Sequence, residues 1–271
     1  MQATNQCNAF WFMEKYPLFL ALALVAEILG TISGFGSSIL FVPLAALFFD
    51  FKSVLGITAV FHVFSNISKI YLFRKGIDWT IAWKLGIPAV ISVILGAYLT
   101  TFLPTKQIEL GMNIALVGVA IYLILNFNKT LRQTDSNLYL GGIASGFLAG
   151  IAGTGGAIRG MTLAAFQLPK DLFIATSALI DLGVDFSRAV VYVSNGYFLK
   201  EFLVLLPFLL IISLLGSYLG KLILQKINEK VFRYLVLSII VATGRGCASI
   251  QFYRRYCSGV SGAVSIGCRH V

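Results

Sequence analysis

The stretch Gly34-Phe35-Gly36-Ser37-Ser38 decides the fold, because a related stretch, Gly153-Thr154-Gly155-Gly156-Ala157, follows it at a distance of 119 residues. Further matches occur in order at the same distance: Thr58 with Ser177, His62 with Asp181, Asn66 with Asp185, Ser68 with Ser187, Lys69 with Arg188 and Pro88 with Pro207. Chance supplies single matches but not an ordered series. The chain therefore contains one unit written twice.

The composition indicates that this repeated unit lies in a membrane. Of the residues, 58% are hydrophobic and 12% charged, whereas soluble domains have about 45–50% and about 25%. This balance excludes a soluble globular enzyme, a disordered chain and a disulfide scaffold. The net charge is +10, and most of the basic residues lie in short connections between apolar runs, which is typical of cytoplasmic loops rather than of nucleic-acid binding. The four cysteines form no Cys-x-x-Cys pair, so we expect neither a metal site nor a cofactor.

The apolar runs within each half are unequal in length. Each glycine motif separates two short runs, 18–33 from 39–49 and 138–152 from 158–168, and each run is shorter than the roughly 20 residues that cross a bilayer. The remaining runs are long enough, the last one marginally: 54–73, 81–103, 108–127, 172–193, 202–224 and 231–244. The short pairs therefore leave two topologies open.

The distribution of loop cations separates the two topologies. If each short pair makes one broken crossing, the halves are parallel and the loop lysines and arginines divide evenly. If each pair is a re-entrant hairpin, the halves are inverted, and only Lys15, Lys52, Lys106 and Lys200 stand opposite the other ten. Cytoplasmic loops carry the excess of Lys and Arg, which favours the second topology. We predict an all-α polytopic membrane protein of two inverted repeats, each a Gly-motif re-entrant helical hairpin plus three transmembrane helices.

These boundaries divide the chain into four parts. Residues 1–127 form the first membrane repeat, 128–137 a cytoplasmic linker, 138–244 the second membrane repeat and 245–271 an atypical C-terminal tail. The tail contains three of the four cysteines and follows a shortened last span. It is either the product of an altered reading frame or an external tail without a fold, and we assign it no function.

The ordered motifs resemble those of a known transporter family. The opening motifs G-x-G-S-S and G-T-G-G of the two halves, together with F-R-K-G-I-D-W at 73–79, resemble the sulfite exporter TauE/SafE family, also called the 4-toluene sulfonate uptake permeases. The resemblance covers roughly residues 15–244. It implies a multi-pass carrier in the cell (inner) membrane for sulfite, sulfonates or related organosulfur anions, without naming the solute.

A polar stripe follows one helical run in each half. Thr58, His62, Asn66 and Lys69 share one helical face, and their counterparts are Ser177, Asp181, Asp185 and Arg188. A charge at mid-membrane costs about 2.5–3.5 kcal/mol, so such residues usually face the bundle interior. We expect Asn66, Lys69 and Arg188 to bind substrate, and His62, Asp181 and Asp185 to couple a proton or ion. Alternatively, these charges neutralise one another, or the cations reach the headgroups.

The glycine motifs supply a second candidate element. A half-helix that begins after Gly36 or Gly155 points its N–H groups at the midplane, where transporters hold anions. The motif residues expected to bind substrate are Gly34, Gly36, Ser37, Ser38, Thr154, Gly155 and Gly156, and Arg159 is the best partner for a sulfur oxyanion. The alternative is close helix packing, which is the favoured interpretation for Gly142 and Gly146. Glu27 is either a coupling carboxylate or a buried neutral group.

We therefore predict a membrane transporter of small anions, with the solute and the lipid bilayer as its partners. Transport proceeds by alternating access at a midplane site. A passive anion channel, a carrier of an unrelated solute and a structural membrane protein are the alternatives, and the oligomeric state stays open. An enzyme is not expected, because one in-membrane histidine and no in-membrane cysteine provide no nucleophile–base or metal constellation.

Overall fold

The computed structural model describes residues 2–34, 36–74, 76–111, 114, 118 and 133–228, and within these ranges it contains helices and no strand. The helices are α1 (Gln2–Ser33), α2 (Ser38–Ala45), α3 (Phe51–Leu72), α4 (Trp79–Leu99), α5 (Asp135–Ala152), α6 (Gly156–Ala164), α7 (Lys170–Ser194) and α8 (Leu206–Lys226), with a 3₁₀ turn at Lys200–Leu205 before α8. The predicted all-α class is confirmed for this part of the chain.

The long apolar runs correspond closely to long helices. The runs 54–73, 81–103 and 172–193 correspond to α3, α4 and α7, and the run 202–224 spans the 3₁₀ turn and α8. The run 108–127 is described only at its beginning, where 105–111 is helical. The predicted last span, 231–244, and the tail, 245–271, lie outside the described residues.

Local signals in the sequence explain where several helices begin. The Asp50 carboxylate accepts a hydrogen bond from Ser53 N at 3.0 Å and caps α3. Asp78 accepts in the same way from Ile81 N at 3.0 Å and caps α4. Helix α5 begins at Asp135, inside the segment predicted as a linker, and the negative charge in its first turn suits the helix dipole.

The outer faces of the helices are apolar. Four helical segments are long and apolar enough to cross a membrane: Tyr16–Ser33, Phe51–Leu72, Trp79–Leu99 and Phe202–Lys226. Large apolar side chains on α4, the 3₁₀ turn and α8 are exposed, among them Trp83, Leu95, Val204, Phe208 and Leu214. Such a surface is stable against lipid rather than water. The 25-residue helix α7 is long enough to span a membrane, but its apolar sequence contains the charged residues Asp181, Asp185 and Arg188, which are buried.

Helices α4 and α5 pack backbone to backbone. A Cβ atom added at Gly142, Gly146 or Gly150 of α5 would collide with the carbonyl oxygens of Leu85, Ala89 and Val93, respectively, on α4. Only glycine permits this approach, as in other helix pairs with small residues four apart. The interpretation of Gly142 and Gly146 as packing residues is confirmed.

The remaining contacts enclose a central region. Helix α3 packs against α7 and α8, α1 packs against α8, and the short helices α2 and α6 touch each other. The buried charged side chains lie on α1, α3, α6 and α7. The two glycine motifs thus lead into the same region as the two polar stripes.

Candidate functional site

Two glycine-containing breaks interrupt the helices at the centre. Gly34 and Gly36 have φ angles of 70° and 80°, and Gly153, which ends α5, has a φ angle of 74°. These are left-handed conformations that side chains disfavour, so glycine is required at these positions. The breaks allow α2, of 8 residues, and α6, of 9 residues, to leave the directions of α1 and α5.

Each of the three predicted inner cations pairs with a carboxylate. Lys69 Nζ lies 2.9 Å from Glu27 Oε1, and Arg188 Nη2 lies 2.7 Å from Asp185 Oδ1. Arg159 forms a bidentate ion pair with Asp181 through both terminal nitrogens, and Nη2 lies 2.5 Å from Oδ2. The charges therefore neutralise one another, as the alternative interpretation of the stripe expected. Lys69 and Arg188 are buried and do not extend to the headgroups.

Asn66 and Asp185 occupy equivalent positions in the two halves and touch each other. Asn66 Nδ2 donates to Asp185 Oδ2 at 2.7 Å across the α3–α7 contact. Arg188 Nε donates to the other oxygen of Asp185 at 2.7 Å, and Arg188 Nη1 donates to the Gly153 carbonyl oxygen at 2.7 Å. The stripe of α7 is thereby tied both to α3 and to the second glycine break.

The pair of Arg159 and Asp181 lies beside the first glycine break. A Cβ atom at Gly36 would lie 3.6 Å from Asp181 Oδ2, 3.8 Å from Arg159 Nη2 and 3.9 Å from Ser38 Oγ. Arg159 Nε also donates to Ser177 Oγ at 3.4 Å. Asp181, with 7% of its surface exposed, is the most accessible of the six charged residues in these pairs. The first glycine break, at Gly36, therefore lies beside Arg159 of the second half. The pair of Arg159 and Asp181 is the most accessible of the three ion pairs.

Glu27 is the centre of a second group of polar side chains. Its carboxylate accepts hydrogen bonds from Ser37 and Ser65, both at 2.5 Å, and from Ser217 at 3.0 Å. Ser65 in turn accepts a hydrogen bond from Lys69 Nζ at 2.7 Å. A fully buried carboxylate surrounded by donors is satisfied in its ionised form, which favours the interpretation of Glu27 as a charged group.

His62 contacts this group through one ring nitrogen and the backbone of α3 through the other. Its Nδ1 lies 2.8 Å from the Thr58 carbonyl oxygen, and its Nε2 lies 2.9 Å from Ser37 Oγ. Among the described residues, Thr58 Oγ1 is the one buried side-chain oxygen or nitrogen that has no hydrogen-bond partner.

The other predicted residues have differing surroundings. A Cβ at Gly34 would meet the ring of Phe173 at 2.6 Å, and a Cβ at Gly155 would collide with the Ser145 carbonyl oxygen, so both glycines serve close packing. Thr154 and Gly156 are buried beside the start of α6. Their roles as ligands stay predictions.

Two hydroxyl donors to Glu27 were not predicted from the sequence: Ser65 and Ser217. Ser65 lies three residues after His62 and four before Lys69, so helical spacing places it on the polar stripe. Ser217 lies in a matched Gly-x-Tyr-Leu segment, 216–219 in the second half and 96–99 in the first. Both signals were present but indistinguishable from those of packing serines.

An all-helical chain with lipid-facing surfaces and a buried centre of paired charges is a multi-pass membrane protein. The family model described as sulfite exporter TauE/SafE matches residues 19–245. The chain therefore belongs to this family of membrane transporters, which confirms the resemblance found in its motifs. It is also similar to a protein of Methanocaldococcus jannaschii described as a probable membrane transporter protein, with 28% identity over 258 residues, 87% of this chain and 96% of that protein. No solved structure matches the chain.

Proposed function

We propose that the protein transports small sulfur oxyanions, such as sulfite or a sulfonate, by alternating access at the centre. The observation that carries this proposal is the approach of Gly36 to Arg159 and Asp181, with distances of 3.6 to 3.8 Å from a Cβ built on Gly36. A glycine without a side chain leaves backbone within reach of a ligand that Arg159 holds. Guanidinium groups bind tetrahedral oxyanions through two parallel hydrogen bonds, so Arg159 is the primary anion ligand.

The charge balance of the centre defines how an anion binds. Glu27, Asp181 and Asp185 match Lys69, Arg159 and Arg188 one for one, so an anion enters a region with no net positive charge. Arg159 must then share its donors between Asp181 and the anion. Ser38 and Asn66 offer further hydrogen-bond donors. Lys69 and Arg188, which stay paired with Glu27 and Asp185, attract the anion electrostatically without contacting it. Coupling roles for His62, Asp181 and Asp185 stay predictions.

Two observations support the inverted arrangement of the halves, each with a re-entrant hairpin and three transmembrane helices. Asn66 and Asp185, which are equivalent in the sequence repeat, contact each other at 2.7 Å, as expected where a two-fold pseudo-axis passes between α3 and α7. The short helices α2 and α6 also touch, as expected for two hairpins that end at a common depth. Inverted halves that rock about a fixed central site provide alternating access.

The first test identifies the solute. Purified protein is heated with sulfite, thiosulfate, sulfoacetate, taurine or methanesulfonate, and a bound anion raises the unfolding temperature by mass action. The stabilising anion is then used for uptake into proteoliposomes. We expect saturable uptake, whereas uptake that rises linearly with concentration would indicate a channel instead.

The second test examines the site. Arg159→Ala should abolish uptake while the protein still inserts and purifies. The matched control is Lys84→Ala, because Lys84 pairs with the exposed Asp135 at 2.6 Å, away from the centre. Unchanged uptake by Arg159→Ala would overturn the proposed site.

A further inference from the structure

A series of three hydrogen-bond contacts in the centre needs three protons, but a neutral His62 and the Ser37 hydroxyl supply only two. It runs from the Thr58 carbonyl oxygen through His62 and Ser37 to Glu27, over distances of 2.8, 2.9 and 2.5 Å. A carbonyl oxygen only accepts, so Nδ1 of His62 carries hydrogen. A neutral imidazole then has no hydrogen on Nε2, and that nitrogen can only accept.

The Ser37 hydroxyl has a single proton and two acceptors that require it. If Ser37 donates to Glu27, the contact between Ser37 Oγ and His62 Nε2 has no hydrogen unless Nε2 is protonated. If Ser37 donates to His62, the contact with Glu27 has none unless the carboxyl is protonated. All three contacts are hydrogen bonds only when the series holds one proton more than it has with a neutral His62 and an ionised Glu27.

We propose that Glu27, Ser37 and His62 form the proton-binding site of the transporter, and that it loads one proton together with one anion. The inference rests on the proposed function, because it assigns the coupling proton of that same transport cycle. Glu27 and Ser37 thereby take roles in proton binding, with Ser37 as the positioning residue between two titratable ends.

The proton moves between the ends without any change in the number of atoms. With the proton on His62, Nε2–H donates to Ser37 Oγ, and the Ser37 hydroxyl donates to Glu27 Oε2. In the second arrangement the Ser37 proton has moved to Glu27 Oε2, and the Nε2 proton has moved to Ser37 Oγ. Glu27 then donates to Ser37, and Ser37 donates to a neutral His62. One N–H bond is exchanged for one O–H bond.

The charges around this chain explain why proton and anion bind together. Three cations lie in the centre, and each pairs with one of three carboxylates. The charged groups on the packed elements are Glu27 on α1, Lys69 on α3, Arg159 on α6, and Asp181, Asp185 and Arg188 on α7, while α8 contributes the neutral Ser217. An added proton gives this balanced centre a charge of +1, which buried surroundings disfavour. One bound monoanion restores neutrality, so each stabilises the other.

The backbone connects the two binding events. Ser37 follows Gly36 directly, and Gly36 is the residue whose built Cβ lies 3.8 Å from Arg159 Nη2. Ser37 also precedes α2, and its carbonyl oxygen accepts from Phe41 N at 2.8 Å. When the chain loses its proton, Ser37 keeps a hydrogen bond to only one of its two partners. The start of α2, and with it the first glycine break, is then held less firmly.

The experiment separates exchange from proton coupling in proteoliposomes. The probes are radiolabelled methanesulfonate and thiosulfate, which stay ionised over the pH range used, so any proton that accompanies them is carried by the protein. Methanesulfonate is the monoanion that one proton neutralises and is the probe for proton-coupled uptake, whereas the dianion thiosulfate is used for exchange. Exchange of labelled for unlabelled anion at equal pH requires no net proton movement. Net uptake driven by an inward proton gradient is recorded with a pH dye inside the liposomes.

The variants remove one end of the chain at a time. We expect Glu27→Gln and His62→Gln each to lose proton-driven uptake and proton influx to the level of protein-free liposomes, while anion exchange is slowed but stays measurable. The double variant should be no worse than either single one. His62→Gln keeps the pair of Lys69 and Glu27, so it tests the chain if Glu27→Gln fails to fold. Ser213→Ala is the control, because this buried hydroxyl bonds only to Leu210 O within α8, and it should retain both activities.

The outcomes are distinguishable. Absence of exchange by the wild-type protein with both probes would overturn the proposed transport of such anions and the proton site with it. Exchange by the wild type without proton influx, or proton influx that persists in His62→Gln, would overturn the proton site alone and leave the proposed function standing.

Discussion

The two halves of the molecule share a repeated sequence but place different chemistry at matching positions. Glu27 in the first half corresponds to Gly146 in the second, and Leu40 corresponds to Arg159. Glu27 accepts hydrogen bonds from serines and pairs with Lys69, whereas Gly146 packs against the backbone of α4. Leu40 is apolar, whereas Arg159 grips Asp181. The repeat thus supplies a common frame, and a few substitutions distinguish a half with one glutamate, one lysine and a histidine from a half with two aspartates and two arginines.

This difference suggests a division of roles between the halves. In our proposals the first half binds the proton and the second half binds the anion. The two sets of groups meet because Gly36 of the first half lies beside Arg159 of the second. The variants below test whether matching positions differ in the way that this division requires, beginning with the largest expected effect.

Arg159→Gln against Leu40→Ala compares matching positions on the two short helices. Charge-assisted hydrogen bonds contribute about 1.5–3 kcal/mol each, so loss of two donors should weaken anion binding by about 100-fold or more. Leu40→Ala removes only apolar contact and should leave the affinity near that of the wild type. The measurement is the anion concentration that gives half-maximal uptake. Equal losses in both variants would show that the short helices do not differ in role.

Arg188→Gln against Lys69→Gln compares the matching cations of the stripes. Removing one partner of a buried ion pair costs about 3–5 kcal/mol, and Arg188→Gln leaves Asp185 with the Asn66 amide as its remaining donor among the described residues. Lys69→Gln leaves Glu27 with the hydroxyls of Ser37, Ser65 and Ser217. We therefore expect a clearly smaller loss, about 1–3 kcal/mol. Unfolding in detergent measures both, and a reversed order would contradict the conclusion that hydroxyl donors support Glu27 more strongly than Asp185 is supported.

Gly146→Ala tests the packing role that replaces the carboxylate of Glu27 in the second half. The added methyl group would collide with the Ala89 carbonyl oxygen on α4, and such overpacking costs about 1–3 kcal/mol. The matched control is Gly111→Ala, because no atom of the described residues lies within 4 Å of a Cβ built there. A free energy of unfolding that falls equally in both variants would indicate a general effect of losing a glycine.

The sequence predicted the helices and the residues of the centre better than their partners. The spacing of Thr58, His62, Asn66 and Lys69 placed the stripe on one face of α3, and the structure buries all four residues. Helical periodicity is a local property, so it is readable in the chain. That Arg159 pairs with Asp181 rather than with another carboxylate depends on how α6 approaches α7, and no local pattern encodes that distance.

Glu27 illustrates the same limit more sharply. Its isolation in an apolar run marked it as unusual, but a charged and a neutral interpretation were equally open. The structure brings Ser37, Ser65, Lys69 and Ser217 to it from α3, α8 and the first glycine break. Serines are common in packed membrane helices, so no local pattern connects these particular hydroxyls with one carboxylate.

Thr58→Val against Ser177→Ala is the mildest comparison, again at matching positions. Ser177 accepts a hydrogen bond from Arg159 Nε at 3.4 Å, whereas the Thr58 hydroxyl is buried without a partner. Replacing an unsatisfied buried hydroxyl by a methyl group of the same shape costs nothing in stability, so Thr58→Val should leave the free energy of unfolding unchanged or raised. If that hydroxyl serves a bound ligand, Thr58→Val should still weaken anion binding by several-fold, since one neutral hydrogen bond is worth about 0.5–1.5 kcal/mol. Stability retained together with weaker binding would place a ligand atom beside Thr58, and unchanged binding would confine the anion to the side of Arg159 and Ser177.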